Sequence, residues 1–381
     1  MRRDLVERVR DRIATIGGGV TDAEMADAFR AETGGVASDL DTLGAVRELR
    51  QEFSGLGQLA PLLRDPGVSD VLVTGPDRVW IDGPDGLRLT SVTFRDDDAV
   101  RQLAQRLALA AGRRLDDAQP FVDAWISSGI RLHAMLAPIA ADGTSLSLRV
   151  LRSAGHDLSA LRDLGLFDAA AEELLIRIVR ARLAFLVIGA TGSGKTTLLG
   201  ALLGQVPAGE RVVCVEDAGE LHPDHPQVVR LVSRPPNVEG AGEVTSRELV
   251  RQALRMRPDR IVVGEVRGAE VCELLAALNT GHDGGACTLH ANSAAEVPAR
   301  MEALAALGGV SRAALHSQLA AAIRVVLHLK RSSDGSRRLV EIGVLTRDDD
   351  EVVVRTAWRA GHPTEAWPLL ADLLAERGFP C

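Results

Sequence analysis

The run Ala184-Phe-Leu-Val-Ile-Gly189-Ala-Thr-Gly-Ser-Gly-Lys195-Thr196-Thr197-Leu decides how this chain is read. Five apolar residues suited to a buried strand lead into Gly189, Ala190, Thr191, Gly192, Ser193, Gly194, Lys195 and Thr196. That octet satisfies GxxxxGK[ST], and helix-forming residues follow it from Thr197 onward. A strand before and a helix after are the context in which this spacing has chemical meaning. Glycines let backbone N–H groups wrap a polyphosphate, and the helix N-terminus adds positive potential. Lys195 can reach the β and γ oxygens, while the Thr196 hydroxyl can ligate Mg²⁺. The expected ligands are therefore ATP and Mg²⁺, held by residues 189–197. The loop leaves open what the energy is used for, since kinases, recombinases, transporters and motors all carry it.

Three further strand ends supply chemistry. Arg260-Ile-Val-Val-Gly-Glu265 is a hydrophobic strand ending in a carboxylate, at the edge where open α/β sheets bind ligands. Glu265 is expected to position the attacking water and to join Thr196 in the Mg²⁺ shell, because phosphoryl transfer depends mainly on positioning and charge stabilisation. Arg211-Val-Val-Cys-Val-Glu216-Asp217 repeats the design, with Glu216 as a second acid. Ala286-Cys-Thr-Leu-His290 places a histidine at a third strand end, able to sense or stabilise a γ-phosphate. Arg267, just past Glu265, is a further candidate. Continuous apolar runs separated by helices predict a mainly parallel sheet covered on both faces.

The remaining sequence sets the frame. A chain of 381 residues is long enough for two domains. The pattern predicts a helical extension over 1–55, an α+β domain over 56–152 and a linker over 153–165. A P-loop domain over 166–381 follows, closed by a hairpin about Asp348 and a helix from Trp367 to Glu376. The net charge of −8 disfavours direct nucleic-acid binding. Of 44 cationic residues only Lys195 and Lys330 are lysines. The four cysteines have no metal-ligand spacing. No apolar run approaches the ~18 residues of a membrane helix, and the charged N-terminus is unlike a signal peptide, so a cytoplasmic location is expected.

Several long stretches together resemble the bacterial type II/IV secretion traffic ATPases, in particular the Tad/Flp pilus assembly branch. They are IGATGSGKTT, VVCVEDAGEL, VVRLVSRPPNVEGAGEVTSRELVRQALRMRPDRIVVGEVRGAE and NTGHDGGACTLHANS, with LAPLLRDPGVSDVLVTGPDRVWID nearer the N-terminus. The resemblance implies a RecA-like motor domain preceded by a small α+β domain, assembled as a homo-hexamer. It implies docking on inner-membrane platform proteins at the inner face of the cell membrane, where ATP hydrolysis powers pilus assembly, secretion or conjugal transfer. It also assigns Lys195 and Thr196 to Walker A, Glu216 to the acidic box, Glu265 to Walker B and His290 to the His box. Arg131 and Arg149 match the arginines that this family sends from its N-terminal domain to the phosphates. A tetracysteine module found in some type II relatives is missing. The rival readings are a DNA-directed RecA-like translocase, which would need a basic channel, and a small-molecule kinase, which would leave the N-terminal domain unexplained.

Overall fold

The structure is a computed structural model and describes residues 55–83, 86–127, 129–150, 156–237, 240–332 and 334–380. Apart from Gly55, the expected helical extension over 1–55 lies outside the described residues. The chain divides into two compact units between Arg152 and Ser153.

The first unit is built on a six-stranded sheet of order β3-β2-β1-β6-β5-β4. Its strands are β1 (Asp70–Thr74), β2 (Val79–Asp82), β3 (Arg88–Leu89), β4 (Phe121–Ser127), β5 (Ile130–Met135) and β6 (Ser145–Val150). All its pairings are antiparallel. Two-residue alternation buries Val71, Val73, Leu132, Ala134, Leu146 and Leu148 on one face. The short helix α1 (Ala60–Arg64) and the longer α2 (Asp97–Ala110) contribute to the same core. Val100, Leu103 and Leu107 recur on one side of α2 and are buried there. Asp96 caps α2 by accepting from the Ala99 amide at 2.9 Å.

The second unit holds a nine-stranded sheet of order β15-β14-β13-β12-β7-β11-β10-β8-β9. Strands β7 (Phe185–Ile188), β8 (Val212–Glu216), β9 (Val228–Val232), β10 (Arg260–Val263), β11 (Ala286–Leu289) and β12 (Val325–Arg331) run parallel. Strands β13 (Arg337–Asp348), β14 (Glu351–Arg359) and β15 (His362–Pro363) extend it antiparallel. Because the central strands are apolar on both sides, each feeds two cores. Phe185, Val187, Val212, Cys214 and Val262 belong to one cluster, whereas Leu186, Ile188, Val213, Val215 and Val263 belong to the other. Helices close both faces. Helices α4 (Ala169–Arg180), α5 (Lys195–Leu203) and α10 (Trp367–Glu376) cover the first, and α6 (Ser246–Ala253), α7 (Glu270–Leu278), α8 (Val297–Leu307) and α9 (Arg312–Ala322) cover the second. At about 25 cal/mol per Å² of apolar surface buried, this double burial is the main favourable term of the unit.

One boundary differs from the sequence expectation. The predicted linker 153–165 contains helix α3 (Leu158–Asp163), capped by Asp157, which accepts from the Ala160 amide at 2.8 Å. Leu158 and Leu161 are buried in the first cluster of the second unit. Asp157 looks like linker polarity in the sequence, but its carboxylate starts a helix.

Candidate functional site

Parallel pairing brings the C-terminal ends of β7, β11, β10 and β8 side by side at one sheet edge. This edge carries Lys195, His290, Glu265 and Glu216 in that spatial order. Between β7 and α5 the loop 189–194 makes its tight passage with Gly189, Gly192 and Gly194 at φ 147°, 73° and 95°. A methyl group at Gly189 would strike the Leu329 carbonyl and approach Ser193 Oγ to 2.6 Å. No side chain larger than hydrogen fits at that position.

Lys195 opens α5 and is buried. Its Nζ donates to the carbonyls of Gly189 at 3.0 Å and Ala190 at 3.1 Å, and stands 3.4 Å from His290 Nδ1. Burial lowers its pKa, opposed by the charge of Glu265 and reinforced by that of Arg267. His290 has its other nitrogen, Nε2, 2.5 Å from Glu265 Oε1, a buried oxygen without a full hydrogen bond among the described residues. Burial and the Lys195 charge depress the His290 pKa, which favours neutral imidazole. With Nδ1 facing an ammonium, the ring proton belongs on Nε2, toward Glu265. Arg267 closes the chain of contacts by pairing with Glu265 Oε2. Sequence alone placed Glu265 and His290 at strand ends on one sheet edge; the structure makes the strands neighbours and joins the residues, with Lys195 and Arg267, into one network.

Glu216 is buried separately, behind this network. Its Oε1 accepts from the amides of Glu220 at 3.0 Å and Leu221 at 2.9 Å, while Oε2 has no partner among the described residues. Desolvation dominates and pushes the carboxyl up to about 7. Gly264 makes room for it, since a methyl group there would lie 2.8 Å from Glu216 Cγ. Thr288 donates its hydroxyl to the Gly264 carbonyl at 2.7 Å, fixing the turn that presents Glu265.

The residues fit a polyphosphate and an attendant hard cation. Ser193 Oγ is buried inside the loop without a partner among the described residues, and the three glycines keep the cradle free of side chains. Thr196, one residue into α5, and Glu265 are the residues that would offer oxygen donors to Mg²⁺, which usually keeps several waters and takes one or two protein ligands. Beside the loop, Gly189, Ala190, His290, Asn292, Glu296 and Arg300 line a cleft of about 220 Å³. Arg300 donates to the His290 carbonyl at 3.1 Å, holding the wall of this cleft.

Arg131 and Arg149 belong to the first unit, facing one another across β5 and β6. Asp123 accepts from Arg131 in a two-point pair of 2.8 and 2.5 Å, and Asp70 accepts from Arg149 at 2.9 Å. Sequence reading missed Arg337, whose Nε donates to the Gly192 carbonyl at 2.8 Å. It could have been found only by placing β12 next to β7.

Comparison with known proteins agrees with this geometry. The family described as "Type II/IV secretion system protein" matches residues 52–360. A candidate conjugal transfer protein of Mycobacterium tuberculosis is 60% identical over 347 residues, covering 89% of this chain and 98% of that one. The type IV secretion system protein PtlH homolog of Bordetella bronchiseptica is 32% identical, over 75% of this chain and 92% of its own length. Among solved structures, the pilus retraction motor PilT with bound ADP is similar in fold, with a TM-score of 0.54, 20% identity, and coverage of 84% and 86% of the two chains.

Proposed function

Because the chain belongs to the type II/IV secretion traffic ATPases and is an ATP-hydrolysing enzyme, we propose that it is a ring-forming motor. In this reading it assembles as a homo-hexamer on platform proteins at the inner face of the membrane. It then powers Tad/Flp-type pilus assembly or a related secretion or conjugal transfer apparatus. Among the described residues no helix is long and apolar enough to cross a membrane.

The observation that carries the proposal is the Lys195, His290, Glu265 and Arg267 network at one sheet edge. Lys195 is the cation that exchanges the loop carbonyls for β and γ phosphate oxygens. Glu265 orients the attacking water and takes up its proton, helped by the neutral His290 whose Nε2 faces it. Arg267 balances the charge on Glu265. Thr196 and Glu265 would hold Mg²⁺, which would supply charge neutralisation at the phosphate oxygens. Glu216, protonated or charged near neutrality, is a second acid behind the metal-binding edge. In the same reading, Arg131 and Arg149 act as phosphate contacts that exchange Asp123 and Asp70 for the nucleotide.

The relatives named for conjugal transfer and type IV secretion support a membrane apparatus as the target of this work. The discriminating experiment measures ATP turnover in the presence of duplex DNA or of a detergent-solubilised platform protein from the same apparatus. The motor reading expects stimulation by the platform protein and none by DNA. Stimulation by DNA alone would replace it with the translocase reading.

A further inference from the structure

Strand β12 runs parallel to β7, pairing Leu327 with Val187 and His328 with Ile188. Residues Leu329 to Arg331 therefore continue past the end of β7, alongside the start of the phosphate loop. The chain turns and comes back as β13, whose first residue, Arg337, pairs directly with Arg331. Two arginines opposite one another on adjacent strands repel. Neither is in an ion pair among the described residues, whereas Arg267, Arg131 and Arg149 each have a carboxylate.

Both guanidinium side chains meet the loop. Arg337 Nε donates to the Gly192 carbonyl at 2.8 Å, and a methyl group on Gly194 would lie 3.4 Å from Arg337 Cδ. A methyl group on Gly192 would lie 3.4 Å from Arg331 Nη1. The Gly192–Ser193 peptide is thus held from both sides, since the Ser193 amide donates to the Ala190 carbonyl at 3.2 Å. An uncompensated pair of planar cations touching a glycine loop is the arrangement that recognises phosphate.

We propose that Arg331 and Arg337 belong to the nucleotide site as a cationic strap on the phosphate loop. Arg337 fixes the loop through Gly192, and the two charges attract the polyphosphate end of the nucleotide. This rests on the reading of residues 189–197 as the phosphate cradle. The arginines are positioning residues that act on binding, and both are exposed, so moderate effects are expected.

The test uses the full-length protein and its Arg331→Ala/Arg337→Ala double variant, the Arg337→Lys variant and Lys195→Ala. It measures ATP binding directly, KM and kcat for ATP, and inhibition by inorganic tripolyphosphate. The double variant should raise KM roughly fivefold to tenfold with kcat within about twofold, and weaken tripolyphosphate inhibition by a similar factor. Arg337→Lys, which keeps the charge but loses the fork, should fall between. An unchanged KM and unchanged tripolyphosphate inhibition overturn the strap. So does a fall in kcat at constant KM, which would put these residues in the chemical step. Lys195→Ala separates the two levels: if it binds ATP like the wild type, the cradle reading itself has failed, whatever the arginines do.

Discussion

At Glu216 two local forces oppose each other. Two backbone N–H groups stabilise the carboxylate, while burial stabilises the acid, and burial prevails, lifting the pKa from 4.5 to about 7. The folded protein then binds more protons at this site than the unfolded chain between those two values. Stability should therefore fall as pH rises from about 4.5 to about 7 and level off above, a loss on the order of 3 kcal/mol from this group. Thermal unfolding of wild type and Glu216→Gln at pH 5 and pH 8 checks this. The variant should lose less stability than the wild type over that interval; parallel profiles would mean that Glu216 is ionised throughout. The residue was legible in the sequence as an acid at a strand end. Its protonation was not, because that depends on Gly264 making room and on the turn at Glu220 and Leu221.

At the scale of elements, the catalytic edge was readable where apolar runs abut recognisable loops, as at β7, β8, β10 and β11. Strand β12 was readable only at its end, where Lys330 marks a strand terminus; its start was not, because Val325 follows closely on the alanine-rich α9 without a glycine or proline to mark the change. Helices α8 and α9 were hidden for a related reason: alanine at many positions leaves little contrast between their two faces. Arg260, at the start of β10, was also hidden, in a chain rich in arginine. It is fully buried, donates to Glu210 Oε2 at 2.7 Å and to the Val179 carbonyl at 2.8 Å, and so ties β10 to the end of α4. Its removal would leave Glu210 and that carbonyl poorly compensated at the edge of the core. Arg260→Ala should destabilise the protein by about 3 kcal/mol in chemical denaturation. A loss below about 0.5 kcal/mol would show that the site relaxes and rehydrates freely.

At the scale of the molecule, the two units have separate cores. The C-terminal unit carries the loop and the three strand-end residues on one rigid sheet edge, which is why the site could be read from spacing alone. The N-terminal unit carries two arginines, each paired with an aspartate, a pairing that their position in the sequence does not reveal. The family is set by long motifs that reach well beyond the site, across residues 52–360. The central claim is that Lys195 binds the phosphates and Glu265 activates water. The most direct measurement is ATP binding and hydrolysis side by side in wild type, Lys195→Ala and Glu265→Gln. Both variants should lose at least roughly a hundredfold in turnover, with Glu265→Gln still binding ATP and Lys195→Ala binding it poorly. Hydrolysis retained by both variants would contradict the account.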